Sequence, residues 1–138
     1  MKRIFAIALL LAGTALGVVV GSPGRTQTAA MPQGNATAGE QSFRRLCTSC
    51  HIATAEGPRR LGPTLFGVVG RHSSSVQGFN YSQGNRNANV DWTPEVLFEY
   101  LRNPRALVPN TTMAFAGIRD DQERANVIAY LQTLRPPQ

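Results

Sequence analysis

The sequence is short of cysteine, histidine and lysine, and each shortage narrows what the chain can be. Its 138 residues contain two cysteines and two histidines. His72, beside Arg71, is the only histidine besides the one next to the cysteines, so a structural zinc site is poorly supplied. Lysine occurs once, as Lys2. From residue 31 onward the charge is carried by 11 arginines and 8 acids. A nucleic-acid binder shows a denser basic stripe, so that class is set aside. No stretch alternates well enough to demand a sheet. No carboxylate pair or nucleophile stands out either, so the chain does not read as an enzyme.

The one long apolar run is at the start. Lys2 and Arg3 precede the run Ile4 to Leu11, which weakens through Ala15 to Val20 and is broken by Ser22-Pro23-Gly24. Small residues suited to cleavage occur at Ala15-Leu16-Gly17 and Thr28-Ala29-Ala30. That order predicts a secretory signal peptide over residues 1–30. The competing reading is an uncleaved anchor, since Ile4 to Val20 sits at the short end of the ~17–25 residues that cross a bilayer. Residues 31–138 are then one working domain, periplasmic after export and held at the inner membrane only if the leader stays. Losing Lys2, Arg3 and Arg25 lowers the formal charge from +6 to +3, so the domain is less basic than the whole chain suggests.

Both cysteines lie in Cys47-Thr48-Ser49-Cys50-His51. A disulfide between them would close a very small loop and act as a redox centre more than a staple. A thioredoxin-like pair needs a βαβ context, and no β-branched strand run precedes Cys47. The histidine changes the balance, because C-x-x-C-H is the attachment signature of c-type haem. Two thiols at this spacing reach the two vinyl groups on one porphyrin edge, and the adjacent imidazole falls under the iron.

A sixth iron ligand would come from Met31, Met113 or His72. Met31 lies where the mature chain would begin, a place expected to be mobile. A lone methionine is usually core filler. Met113, however, lies in the non-periodic stretch from Pro109 to Ile118, between two helical segments and off any apolar face.

These motifs come in a telling order. Gly39 and Phe43 precede the haem motif. Gly62-Pro63-Thr64-Leu65, Gly70-Arg71 and Gly78-Phe79-Asn80-Tyr81 follow it. Next come Asp91-Trp92, Tyr100-Leu101-Arg102-Asn103-Pro104, the Met113 loop and Ile128-Ala129-Tyr130-Leu131. In this the chain resembles a class I cytochrome c of the mitochondrial and bacterial c2 kind, over about Asn35 to Leu134. The resemblance implies one haem c per chain, bonded to Cys47 and Cys50, with His51 and Met113 as axial ligands. It implies that the Pro63 carbonyl holds the free imidazole N–H. Arg71, Tyr81, Asn85 and Trp92 would serve the buried propionate side, where carboxylates need polar partners. Tyr100 and Thr111 would lie near the ligand methionine, and Phe66, Phe79 and Phe98 are assigned to core packing.

The fold expected is all-α: a small cytochrome c fold with three main helices, short helices and long loops wrapping one covalent haem. Asn35 or Thr37 caps a first helix running to about Cys50, with Thr37 and Glu40 as a capping box. Thr93-Pro94 starts a second, with Val96, Leu97, Tyr100 and Leu101 on one face and Asn103-Pro104 ending it. The third runs from about Asp120 to Leu134, with Pro136-Pro137 as its stop. The resemblance implies that the first and last helices cross closely, an approach Gly39 would permit, with Phe43 near Val127 and Tyr130. Irregular segments over residues 56–90 would wrap the cofactor.

Function follows as one-electron transfer in an exported, respiratory-type chain. Partners would be a redox protein donor and acceptor, such as a quinol–cytochrome c reductase, an oxidase or a dehydrogenase. The chain is expected to be a monomer, with membrane contact only through an uncleaved leader. Two alternatives stay open: a haem peroxidase or ligand-binding haem protein with an open sixth position, and a dedicated electron-accepting subunit of a periplasmic dehydrogenase. Without lysines near the haem edge, Arg44, Arg45, Arg59, Arg60, Arg86, Arg102 and Arg105 either form a docking face or are simply dispersed.

Overall fold

The computed structural model describes residues 30–58 and 60–135. Residues 1–29, which are all but the last of the expected leader, Arg59, and residues 136–138 with the Pro136-Pro137 stop lie outside the described residues. Among the described residues five helices follow one another: α1 (Ala36–Leu46), α2 (Gln83–Ala88), α3 (Pro94–Arg102), α4 (Pro104–Leu107) and α5 (Asp121–Thr133). Among the described residues the only β pairing is an isolated antiparallel bridge between His72 and Asp91. None of these helices is long and apolar enough to cross a membrane.

Caps set the helix starts. The Asn35 side chain accepts from Ala38 N at 3.0 Å, Thr93 from Val96 N at 3.3 Å and Asp120 from Glu123 N at 2.6 Å. Asp121 and Glu123 in the first turn of α5 add negative charge where the helix end is positive. Each of the three long helices then buries one stripe. Gly39, Ser42 and Phe43 serve α1; Leu97, Phe98, Tyr100 and Leu101 serve α3; Val127, Ile128 and Leu131 are among those of α5.

The crossing of α1 over α5 frames the molecule. Phe43 and Tyr130 meet with ring centroids 5.1 Å apart. A Cβ on Gly39 would overlap the Asn126 carbonyl and come within 2.9 Å of Tyr130 Cβ, so only glycine permits this approach. Polar ties flank it: Asn35 N donates to Asn126 Oδ1 at 2.8 Å and Ser42 Oγ to Glu123 Oε1 at 2.8 Å. Gly39→Ala is expected to cost about 3 kcal/mol, the upper part of the overpacking range, because backbone cannot yield as a side chain does. A lower denaturant midpoint with unchanged slope would show it.

Several expectations need correcting. The first helix stops at Leu46, short of Cys50: Cys47 is its cap, still donating its N–H to Phe43 O at 2.8 Å, and Cys47 to Cys50 form a turn. No Thr37 capping box forms, since Asn35 is the cap and Glu40 instead binds Arg44 at 2.6 Å. Met31 is no loose end. It packs partly buried on the core, and Gln122 Nε2 ties the neighbouring Gln33 carbonyl to α5 at 2.8 Å. Phe98 is buried, but Phe66 and Phe79 are only half-buried, and Phe79 meets Tyr81 edge-on at 4.7 Å.

Candidate functional site

Two cysteines and a histidine come together because α1 ends in a tight turn. Cys50 N and His51 N both donate to Cys47 O, at 3.1 and 2.9 Å, which brings Cys47, Cys50 and His51 onto a single bend. Both thiols are free and half-buried. Burial, then the neighbouring Cys50, pushes the Cys47 thiol up to about 11. Thiol-exchange enzymes do the reverse, lowering their reactive cysteine. The burial of Cys47 therefore counts against the thiol redox reading.

The chain then doubles back. Gly62 N donates to Cys50 O at 2.8 Å and Leu65 N to Ile52 O at 2.9 Å, laying residues 62–65 beside 50–52. This delivers the Pro63 carbonyl to His51 Nδ1 at 2.8 Å. A carbonyl only accepts, so Nδ1 carries the proton and Nε2 keeps its lone pair. Burial lowers the His51 pKa, with the Pro63 bond opposing, which favours the neutral ring. Gly62 is required here because a Cβ would overlap that ring.

A second group gathers around Met113. Tyr100 Oη donates to Met113 Sδ at 3.1 Å. Burial, eased slightly by Thr111, raises the Tyr100 hydroxyl to about 12, so it stays a neutral donor. Thr111 Oγ1 accepts from Met113 N at 3.2 Å and from Asn85 Nδ2 at 3.3 Å, and Asn85 Nδ2 also donates to Ser82 Oγ at 3.1 Å. Asn85 thereby joins α2 to the loop. Trp92 is buried against Tyr100, ring centroids 4.7 Å apart.

The remaining named residues form a third cluster. Arg71 donates to Phe66 O at 2.9 Å and Thr64 O at 2.8 Å, fastening the segment just after Pro63. Tyr81 Oη accepts from Val76 N at 3.3 Å, and its own proton is kept by burial, which raises its pKa. Trp92 N donates to Arg71 O at 2.9 Å, linking this cluster to the Tyr100 side.

Cys47, Leu46, Leu65, Met113 and Phe115 all pack on the core yet remain only partly buried. The donor set is two thiols, a neutral imidazole with a free Nε2 and a thioether, and it lies among apolar side chains left half-covered. Those features fit a covalently held haem. The family model for cytochrome c matches residues 36–135. The chain belongs to the class I cytochrome c family. It is 44% identical to cytochrome c2 of Rhodopila globiformis, over 75% of this chain and 97% of that protein. Cytochrome c type-1 of Ascaris suum is 43% identical over 74% of this chain and 90% of its own length, and cytochrome c of Ginkgo biloba 40% over 73% and 89%. As a cytochrome c, the protein is a haem-containing electron carrier whose cofactor is haem c, and Cys47 and Cys50 fit its attachment. Its work requires redox partners.

Sequence reasoning missed one participant. Arg124 is fully buried, and nothing in the pattern around it separated it from the surface arginines. The exposed arginines also sort in space. Arg44 pairs with Glu40, Arg45 with Glu123, and Arg102 with Glu99 at 3.3 Å, while Arg86 donates to Tyr81 O. Arg60 and Arg105 are exposed and have no ion pair among the described residues.

Proposed function

We propose that this cytochrome c is an exported one-electron carrier with a single haem, ligated by His51 Nε2 and Met113 Sδ. The observation that carries the reading is the His51–Pro63 bond. It fixes the tautomer and leaves one lone pair to give, which is how proteins orient a ligating histidine. Bound haem supplies the one-electron iron couple, and His/Met ligation sets its potential high. Everything else is the work of the chain. The loop carrying Met113 is held by Tyr100 and by the Thr111–Asn85 link. Arg71, Tyr81, Asn85 and Trp92 are the residues to hold the propionate side. Tyr81 keeps a proton free to donate, and Arg71 brings positive charge.

A thioether already held in place argues against the open sixth position that a peroxidase or gas-binding protein needs. Residues 1–30 are proposed as the export signal, which places the domain in the periplasm. The partner surface is read as sparse, with Arg60, Arg105, Arg119 and Arg135 as exposed arginines that have no ion pair among the described residues and could meet an acidic redox partner. A respiratory reductase, an oxidase or a dehydrogenase would each fit that description.

The test is a reduced pyridine haemochrome spectrum on acid–acetone-washed protein, exported in a host with haem-attachment machinery. A c-type spectrum at one haem per chain is the expected result. Intact mass of the same material should show a chain lacking the leader. No retained haem would defeat the reading, and a full-length mass would turn the leader into an anchor.

A further inference from the structure

The loop that presents Met113 is fastened at its far end by a buried cation. Arg124, in the first turn of α5, has no solvent exposure. Its guanidinium carbon lies 4.1 Å from the centroid of the Phe98 ring. Nη1 donates to Ile118 O at 2.6 Å and to Arg119 O at 3.1 Å, while Nη2 donates to the Asp121 carboxylate. Nε has no hydrogen-bond partner among the described residues. Three pieces of chain therefore meet on one side chain: α3 through Phe98, the end of the Met113 loop through two consecutive carbonyls, and α5 through Asp121. Two backbone features complete the clamp. Ile118 N donates to Leu101 O at 2.7 Å, and Gly117, at φ 96°, sits where a Cβ would overlap the Arg102 carbonyl.

Burying a charge with one N–H unpartnered is costly, and the local fold could end this loop with a smaller neutral donor. What a guanidinium alone offers is a flat fork that lies on an aromatic face while its η nitrogens reach neighbouring carbonyls. A lysine ammonium is a point donor and cannot reproduce both contacts.

We propose that Arg124 is a positioning residue for the Met113 sulfur. By fixing the carbonyls of Ile118 and Arg119 against α3, it sets the span of the loop that presses Sδ toward the iron. This rests on Met113 being the iron ligand. Helix α3 then supports the sulfur twice, directly through Tyr100 Oη and indirectly through Phe98, Arg124 and the loop end. Loosening the second support raises the fraction of molecules in which the sulfur has swung away.

The experiment compares haem-loaded Arg124→Met, Arg124→Lys and Met113→Ala with a control, Phe43→Leu. Phe43 packs on Tyr130 at the α1–α5 crossing, so its truncation lowers stability at a place other than the Arg124 clamp. The readouts are the red-edge sulfur-to-iron absorption band, the reduction potential and the affinity for added imidazole. R124M is expected to keep covalent haem, lose most of the band, shift its potential toward that of M113A, and bind imidazole on the order of tenfold tighter as the open fraction rises. R124K should recover part of each. F43L, at an equal or larger loss of denaturation midpoint, should keep the band and the parent imidazole affinity. An unchanged band and affinity in R124M would overturn the proposal. So would the same changes in F43L at equal loss of stability. Should R124M fail to fold, Phe98→Leu, which removes the ring under the guanidinium, carries the same comparison with R124K. If M113A itself leaves band and potential unaltered, the ligand reading falls and the positioning role with it.

Discussion

Protein carrying serine at both Cys47 and Cys50 is expected to leave the host with no haem that survives acid–acetone and with most of its helix lost. These two thiols are the only covalent handles in the sequence. The loss of structure follows from packing. Leu46, Leu65, Met113 and Phe115 touch the core with part of their surface still uncovered, and a haem is the body that would cover it. At about 25 cal/mol per Å² of apolar surface, leaving such surface to water forfeits several kcal/mol. Small domains have only ~5–15 kcal/mol in total. Far-ultraviolet circular dichroism with a haemochrome assay reads both losses. Colour that survived extraction would contradict the attachment. A folded, colourless chain would show instead that the α1–α5 crossing is self-sufficient. Each single serine variant keeps one thioether site and should retain haem in lower yield.

How much of this could be read beforehand depends on whether a feature is local. The haem motif is five consecutive residues, and the caps Asn35, Thr93 and Asp120 announce helices by chemistry that acts over three residues. Gly39 was legible through the resemblance, in which the first and last helices cross closely and a glycine permits the approach. Helix α2 was not foreseen in place. Its sequence, Gln83 to Ala88, has no apolar period and contains Gly84 and two asparagines. It is held instead by the Ser82 cap and by Gly84 lying against the Pro109 carbonyl, a contact distant in sequence. The end of α1 was missed for a similar reason. Beyond Leu46 the chain turns, and residues 62–65 return to pair with Cys50 and Ile52, which no pattern around Cys47 reveals.

Among the site residues, the ones read from neighbours in sequence and the ones read from resemblance behave differently. His51 and Pro63 are brought to hydrogen-bond distance, and Tyr100, Thr111 and Asn85 converge on Met113. Arg71 turns out to spend both η nitrogens on backbone carbonyls, so its charge serves the site from a fixed position rather than as a free arm. The arginines were the least legible class. Charge alone does not say which are paired, and only the fold separates Arg44, Arg45 and Arg102 from Arg60 and Arg105. Arg124 shows the same limit in reverse, since a charged residue in the first turn of a helix reads as surface until its partners are seen.

Met113→Ala is expected to leave haem attached while lowering the reduction potential by on the order of a few hundred millivolts, inside the ~0.8 V that axial ligands command. A soft thioether favours the reduced iron, and water or an empty site in its place does not. The same change opens the iron to small ligands, so imidazole or cyanide binding should tighten at least tenfold as the closed fraction disappears. Tyr100→Phe should move the potential in the same direction but far less. The Tyr100 hydroxyl, neutral because burial raises it to about 12, draws density from the sulfur through its 3.1 Å bond, and its loss makes the sulfur a better donor to oxidised iron. The order of effects therefore separates ligand from helper: M113A large in potential and in ligand binding, Y100F small in potential and without an open site. An unchanged potential and unchanged cyanide affinity in M113A would leave Met31 as the thioether to examine. It packs partly buried on the same core, and Met31→Ala would then have to produce the losses expected of Met113.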